Sequence, residues 1–171
     1  DDEIKELPHL LTLSKKMRPD TQENLGWGPV TLPELEMQTT ACWWTLPDEL
    51  TARYSKVELQ GAMVGISHVI EHIAPVFLMC SPRDIGVVYH VRDPFTHKPT
   101  LFVYDNCAGG VGLSDRVYEM DGELFRAARQ VLADCGCTDG CPSCVGPSAD
   151  VGPDGKRIAM ELLAELAGDR T

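Results

Sequence analysis

No run of about eighteen or more apolar residues interrupts the 171 residues of this chain. It opens on Asp1, Asp2 and Glu3, where a secretory leader would carry basic residues followed by an apolar run. The expectation is a soluble, unsecreted protein with no membrane partner, at home in the cytoplasm. Cations are also scarce, with 15 Lys and Arg against 26 Asp and Glu, for a formal charge of -11. Such a balance opposes broad attraction to DNA phosphates or to an anionic membrane, so any nucleic-acid contact must be local. There is no internal repeat and no low-complexity tract. There is also no initiator Met, and the polar, weakly patterned start suggests a piece of a longer chain.

What is present is a composition 43% hydrophobic, enough for one main domain with a core that can fold on its own. Residues 1 to 28 mix charge with short apolar stretches such as Leu10, Leu11 and Leu13, and end in the turn-rich Gly26, Trp27, Gly28, Pro29. We divide the chain into an N-terminal segment, 1–34, and a main domain, 35–171. From Leu35 to Trp44 the residues alternate with the period of a half-buried strand, which sends Trp43 and Trp44 to opposite faces. One of the two tryptophans could serve as a stacking platform or partner contact, although two core-edge residues suffice as an explanation.

A helix is expected over roughly 57–73, with Ile66, Val69, Ile70 and Ile73 in one buried stripe and Pro75 bending or ending it. On another face of this helix Gly61, Gly65, His68 and His72 line up, and the two glycines would let a second backbone approach. Ile85 to Val91 and Thr100 to Asp105 read as a hairpin across Asp93, Pro94, His97 and Pro99. Asn106 to Gly112 follows as a glycine loop, with Ser114 and Asp115 offering a helix start. Leu124, Phe125, Ala128, Val131 and Leu132 mark an amphipathic helix that delivers the chain to a cysteine cluster. Ile158, Leu162, Leu163 and Leu166 mark a last helix stopping near Gly168. A hairpin plus one extended strand, with helices grouped before and after, gives an α+β class: an antiparallel sheet packed with helices, plus a compact four-cysteine loop.

Seven cysteines are an odd number, and four of them fall within the ten residues from Cys135 to Cys144. Such crowding suits metal ligation in a reducing compartment better than a disulfide framework. Cys135, Cys137, Cys141 and Cys144 supply the tetrahedral sulfur shell of a closed, structural zinc site, in which no coordination position remains for substrate. Gly136 and Gly140 permit the positive φ angles that fold four sulfurs around one point, and Pro142 stiffens the second half of the loop. Four thiolates around a divalent cation leave a charge of about -2, which Lys156 or Arg157 could offset. An iron-sulfur cluster is the alternative, but ligands this closely spaced suit a single ion better. Cys42, Cys80 and Cys107 read as small core residues.

His68-Val69-Ile70-Glu71-His72 matches the H-x-x-E-H pattern of inverted zinc peptidases. No third ligand is evident, so hydrogen-bonded histidines on a packing face are the preferred reading. Gly109-Gly110-Val111-Gly112 could hold an anion at a helix N-terminus, but it lacks the Lys-Ser/Thr of a nucleotide-binding P-loop. Asp105 would repel phosphate there, and could equally cap the loop itself.

Taken in order, the segment from Ile66 to Glu71 with His68 and the adjoining His72, Cys80 to Gly86, Val103-Tyr104-Asp105, Gly109 to Gly112 and Cys135 to Gly146 resemble the MrfA-type zinc-binding domain of superfamily 2 DNA helicases. The likeness covers roughly 35–145, and the cysteine motif is its most specific part. The resemblance implies that Cys135, Cys137, Cys141 and Cys144 bind zinc. It also implies that the parent protein is an ATP-dependent 3'-to-5' DNA translocase and helicase with a role in DNA repair. The partners it implies are the motor domains of the same parent chain and single-stranded DNA. An acidic protein-interaction module and a metallopeptidase are the other readings. This chain carries no Walker A loop. The purified chain is therefore expected to show no DNA-stimulated ATP hydrolysis, which a coupled phosphate-release assay checks directly.

Overall fold

The computed structural model describes residues 37–168, together with the backbone of Ser14–Met17 and Asn24–Gly28. These last two segments are strands β1 and β2 and pair antiparallel. Gly26 and Gly28, which composition assigns to a turn, thus lie in a strand. Leu10, Leu11, Leu13 and Pro29 fall outside the described residues, as does the boundary expected at 34/35.

The main sheet is built from Ala41–Thr45 (β3), Ile85–His90 (β4) and Thr100–Asp105 (β5), in the order β3-β5-β4 and antiparallel throughout. The expected hairpin is present, and its second strand takes the centre. Cys42 lies opposite Val103, and Trp44 opposite Leu101. Cys42, Leu101 and Val103 are buried, so this face joins the core, while Trp43 sits on the other face beside Phe102. Asp93 organises the connection between β4 and β5. Its buried carboxylate accepts 2.9 Å bonds from the amides of Phe95 and Thr96, and His90 Nδ1 donates to it at 3.1 Å.

The alternating pattern from Leu35 overestimates the first strand. Residues 37–40 are not strand, and Leu35 and Glu36 lie outside the described residues. The partners of this segment lie in and next to the glycine loop: Gly109 N donates to Gln38 O at 2.8 Å, and Thr39 Oγ1 donates to the carbonyls of Asp105 and Cys107.

After the short helix Asp48–Thr51 (α1), the central helix runs over Lys56–Leu78 (α2). Ser55 and Glu58 form a reciprocal cap at its start, Glu58 N donating to Ser55 Oγ and Ser55 N to the Glu58 carboxylate. Of the two outcomes expected at Pro75, bending or ending the helix, the second does not occur, and the helix runs past 73. The carbonyl left without a donor by the proline ring is that of Glu71, an exposed residue, where water can replace the missing bond. The helix closes one turn later, where Met79 adopts φ 52° and Cys80 N donates to Pro75 O.

Four helices follow the sheet: Leu113–Glu119 (α3), Asp121–Asp134 (α4), Ser148–Val151 (α5) and Gly155–Leu166 (α6). α2 packs on α4, α6 and β4, and α4 packs on α6. Ile66, Val69 and Ile70 of α2, Leu124, Phe125 and Leu132 of α4, and Ile158, Leu162 and Leu163 of α6 meet in one core. At 23 residues α2 has the length and hydropathy to cross a bilayer, yet its apolar stripe is spent on this core. The architecture is the expected α+β, with a three-stranded antiparallel sheet packed with helices.

The glycine face of α2 does pack closely. A Cβ at Gly61 would overlap the carbonyl oxygen of Val151 in α5, and one at Gly65 would lie 3.0 Å from Val145 Cβ. Gly61→Ala should therefore cost about 1–3 kcal/mol through overpacking, read as a lower urea midpoint with an unchanged slope.

Candidate metal centre

The cysteine loop begins where α4 ends. Cys135 is the helix cap, in extended conformation (φ -76°, ψ 121°), so the chain leaves the helix straight. Cys144 N and Gly146 N both donate to Cys141 O at 3.0 Å, which curls the second half of the loop back on itself. Gly140 and Gly146 take the positive φ angles this requires, 128° and 92°. Gly140 does so as expected, whereas Gly136 does not, because the extended exit from α4 needs no left-handed residue before Cys137.

This path brings all four sulfurs within 4.8 Å of one another. Cys135 Sγ lies 3.5 Å from both Cys137 and Cys141, and Cys144 Sγ lies 3.4 Å from Cys137 and 3.6 Å from Cys141. A Zn–S bond of about 2.3 Å implies tetrahedral edges of about 3.8 Å, so these four separations lie close to those of a single-ion shell. Cys144 is buried and the other three are half-buried. Burial pushes the Cys144 thiol up to about 12. It would ligate as thiolate only where a cation offsets that burial, which couples metal uptake to proton release.

Of the two cations offered by the sequence, the structure selects Lys156. Its buried side chain donates to Cys135 O and Cys137 O at 2.6 Å and to Cys137 Sγ at 3.4 Å. Arg157 points elsewhere, to Asp154 at 3.1 Å and Glu161 at 2.7 Å.

The histidines of α2 border this loop. His68 Nε2 donates to Pro142 O at 2.8 Å and His72 Nδ1 donates to His68 O at 2.7 Å, with the ring centroids 4.3 Å apart. Both rings are hydrogen-bonded, as the preferred reading holds, but only His68 is half-buried against the loop, whereas His72 is exposed and turns back on its own helix. Among the described residues the cysteine cluster is the one group of three or more ligand-type side chains close enough to share a metal, so no third ligand joins the H-x-x-E-H pair. Cys42 is buried, while Cys80 and Cys107 are half-buried.

The glycine loop is closed by its own chain. Asp105 Oδ2 accepts from Val111 N at 2.6 Å and Leu113 N at 3.1 Å, and Oδ1 accepts from Ser114 N at 2.7 Å. The amides that an anion would need are therefore occupied by a buried carboxylate. The helix starts at Leu113 after Gly112, not at Ser114. Trp44 is a core-edge residue, edge-on to Phe125 at 5.0 Å and donating from Nε1 to Asp121. Trp43 remains 43% exposed.

The MrfA Zn-binding domain family matches residues 66–145. An uncharacterized protein of Methanocaldococcus jannaschii is 36% identical over 86 residues, which span 48% of this chain and 77% of that protein. The chain belongs to the MrfA Zn-binding domain family. The uncharacterized ATP-dependent helicase YprA of Bacillus subtilis is 38% identical over 160 residues, 92% of this chain and 21% of the helicase. The crystal structure of the DUF1998 helicase MrfA bound to DNA superposes with a TM-score of 0.73 at 37% identity, over 91% of this chain and 20% of that one. This MrfA-type domain thus spans about a fifth of the helicases it resembles. Within a family described by its zinc binding, a four-thiol cluster of single-ion size takes one zinc ion as its cofactor, in preference to an iron-sulfur cluster.

Asp105 supplies a test of the closed loop. Burial alone would raise its carboxyl, but the amides of Val111, Ser114 and Leu113 and the Ser114 hydroxyl hold it below the ordinary value. A depressed carboxyl stabilises the fold at pH above its unfolded value of about 3.9 and loses that contribution as pH falls through the lower folded value. Asp105→Asn should cost about 1.5–3 kcal/mol near neutrality and remove this component of the acid dependence, as measured by urea melts over a pH series.

Proposed function

We propose that this chain is the non-catalytic zinc-binding accessory domain of an ATP-dependent 3'-to-5' DNA helicase or translocase with a role in DNA repair in the cytoplasm. In this reading residues 35–171 form the zinc domain and 1–34 connect it to, or fold with, the motor. Cys135, Cys137, Cys141 and Cys144 are the ligands of one structural zinc. The observation that carries the reading is the closed sulfur shell. Four thiols fill a tetrahedral sphere and leave no position for substrate or activated water, so the ion serves the fold and not a reaction.

The ion would fasten the end of α4 to the loop that α2 covers, and through Lys156 to the start of α6. Structural zinc contributes on the order of 10–16 kcal/mol in finger peptides, comparable with the roughly 5–15 kcal/mol net stability of a whole domain. The partners proposed are the motor domains of the parent chain, with single-stranded DNA as a local contact. The likeness to a DNA-bound helicase of the same family supports both.

Elemental mass spectrometry on protein purified without added metal should find one zinc per chain. Cys141→Ser should lose it, and with it the cooperative thermal transition of the helical half. Iron with visible absorbance, or full zinc retention in the variant, would reject this assignment.

A further inference from the structure

Lys156 occupies a position that ordinary helix electrostatics disfavours. It lies in the first turn of α6, where the aligned peptide dipoles place partial positive charge and a lysine gains nothing. It is only 7% exposed, and among the described residues no carboxylate pairs with it. All three of its donors are nonetheless used, two on carbonyls of the cysteine loop and one on the sulfur of Cys137. A buried ammonium needs an anion, and the anion within reach is the thiolate cluster. Cys137 is the cluster sulfur that this ammonium reaches.

We propose that Lys156 is a positioning residue of the zinc centre, clamping the Cys135–Cys137 arm and polarising the Cys137 sulfur so that the centre retains its ion. This inference rests on the four-cysteine zinc reading. With about -2 on a four-thiolate zinc site, the adjacent ammonium brings the buried assembly to about -1. The two short carbonyl bonds fix the backbone on either side of Gly136, a residue with open space around it and no packing to hold it. The N–H···S bond withdraws electron density from one thiolate. The chain thus uses α6, some twenty residues beyond the ligand, as the outer support of the site.

The test compares wild type, Lys156→Met and Lys156→Arg as the 171-residue chain, each assayed for zinc content and for the rate of zinc transfer to a chromophoric chelator. Loss of an outer-shell partner commonly weakens metal sites by about 10–100-fold, and release from K156M should accelerate by that order. K156R, which keeps charge but not the three-way geometry, should fall between. With cobalt(II) in place of zinc, the sulfur-to-metal charge-transfer band of K156M should move to longer wavelength, because the Cys137 sulfur has lost its donor. A lysine with only a packing role would lower the melting temperature and leave the band in place. Equal release rates and an unmoved band in zinc-loaded K156M overturn the proposal while leaving the four-cysteine site intact. A wild type without metal overturns both. If K156M does not fold, K156R decides: faster release supports the clamp, and release at the wild-type rate rejects it.

Discussion

Thiolates packed 3.4–3.6 Å apart in a protein interior repel one another unless a cation sits among them. The rest of the domain is arranged around meeting that condition. α4 delivers Cys135 in extended geometry, and the Cys141 carbonyl gathers the return of the loop. The loop and α5 then lie against the small-residue face of α2, where Gly65 admits Val145 and Gly61 admits the backbone of α5. His68 adds a hydrogen bond to the loop from the same face. α6, itself packed on α2, contributes Lys156. The cysteine loop thus joins the hydrophobic core through Cys144 and Val145, and hydrogen bonds from His68 and Lys156 are added to that packing.

Membership in the MrfA Zn-binding family gives this arrangement a context. The helicases related to the chain are more than four times its length, and the part of each that it matches is about a fifth. The net charge of -11 opposes phosphate, while Trp43 stays exposed on the face of the sheet away from the core.

The sequence revealed most where the physics is local. Four cysteines in ten residues announce a metal because a tetrahedral shell can be closed by a short loop, and the helix stripes of α2, α4 and α6 follow directly from their periodicity. Contacts across long separations were harder to read. Choosing Lys156 over Arg157 requires knowing which side of α6 faces the loop. The cap of α3 comes from Asp105 on β5, eight or nine residues earlier, so a search for a neighbouring capping side chain finds Ser114 instead. Pro75 misleads because its cost depends on whether water can reach the carbonyl of Glu71. The strand beginning near Leu35 misleads because alternation survives in a segment whose partners are loop carbonyls and amides.

The carboxylate of Asp105 inside the glycine loop has one further consequence. A tethered anion competes with any free one at an effective concentration on the order of millimolar or above, and here the tether is a strand fixed in the middle of a sheet. Inorganic phosphate, nucleotide or nucleic-acid backbone would have to expel a side chain that cannot diffuse away and has no other amides to bind. The glycine pattern therefore serves a closed turn, its amides spent on the chain's own carboxylate.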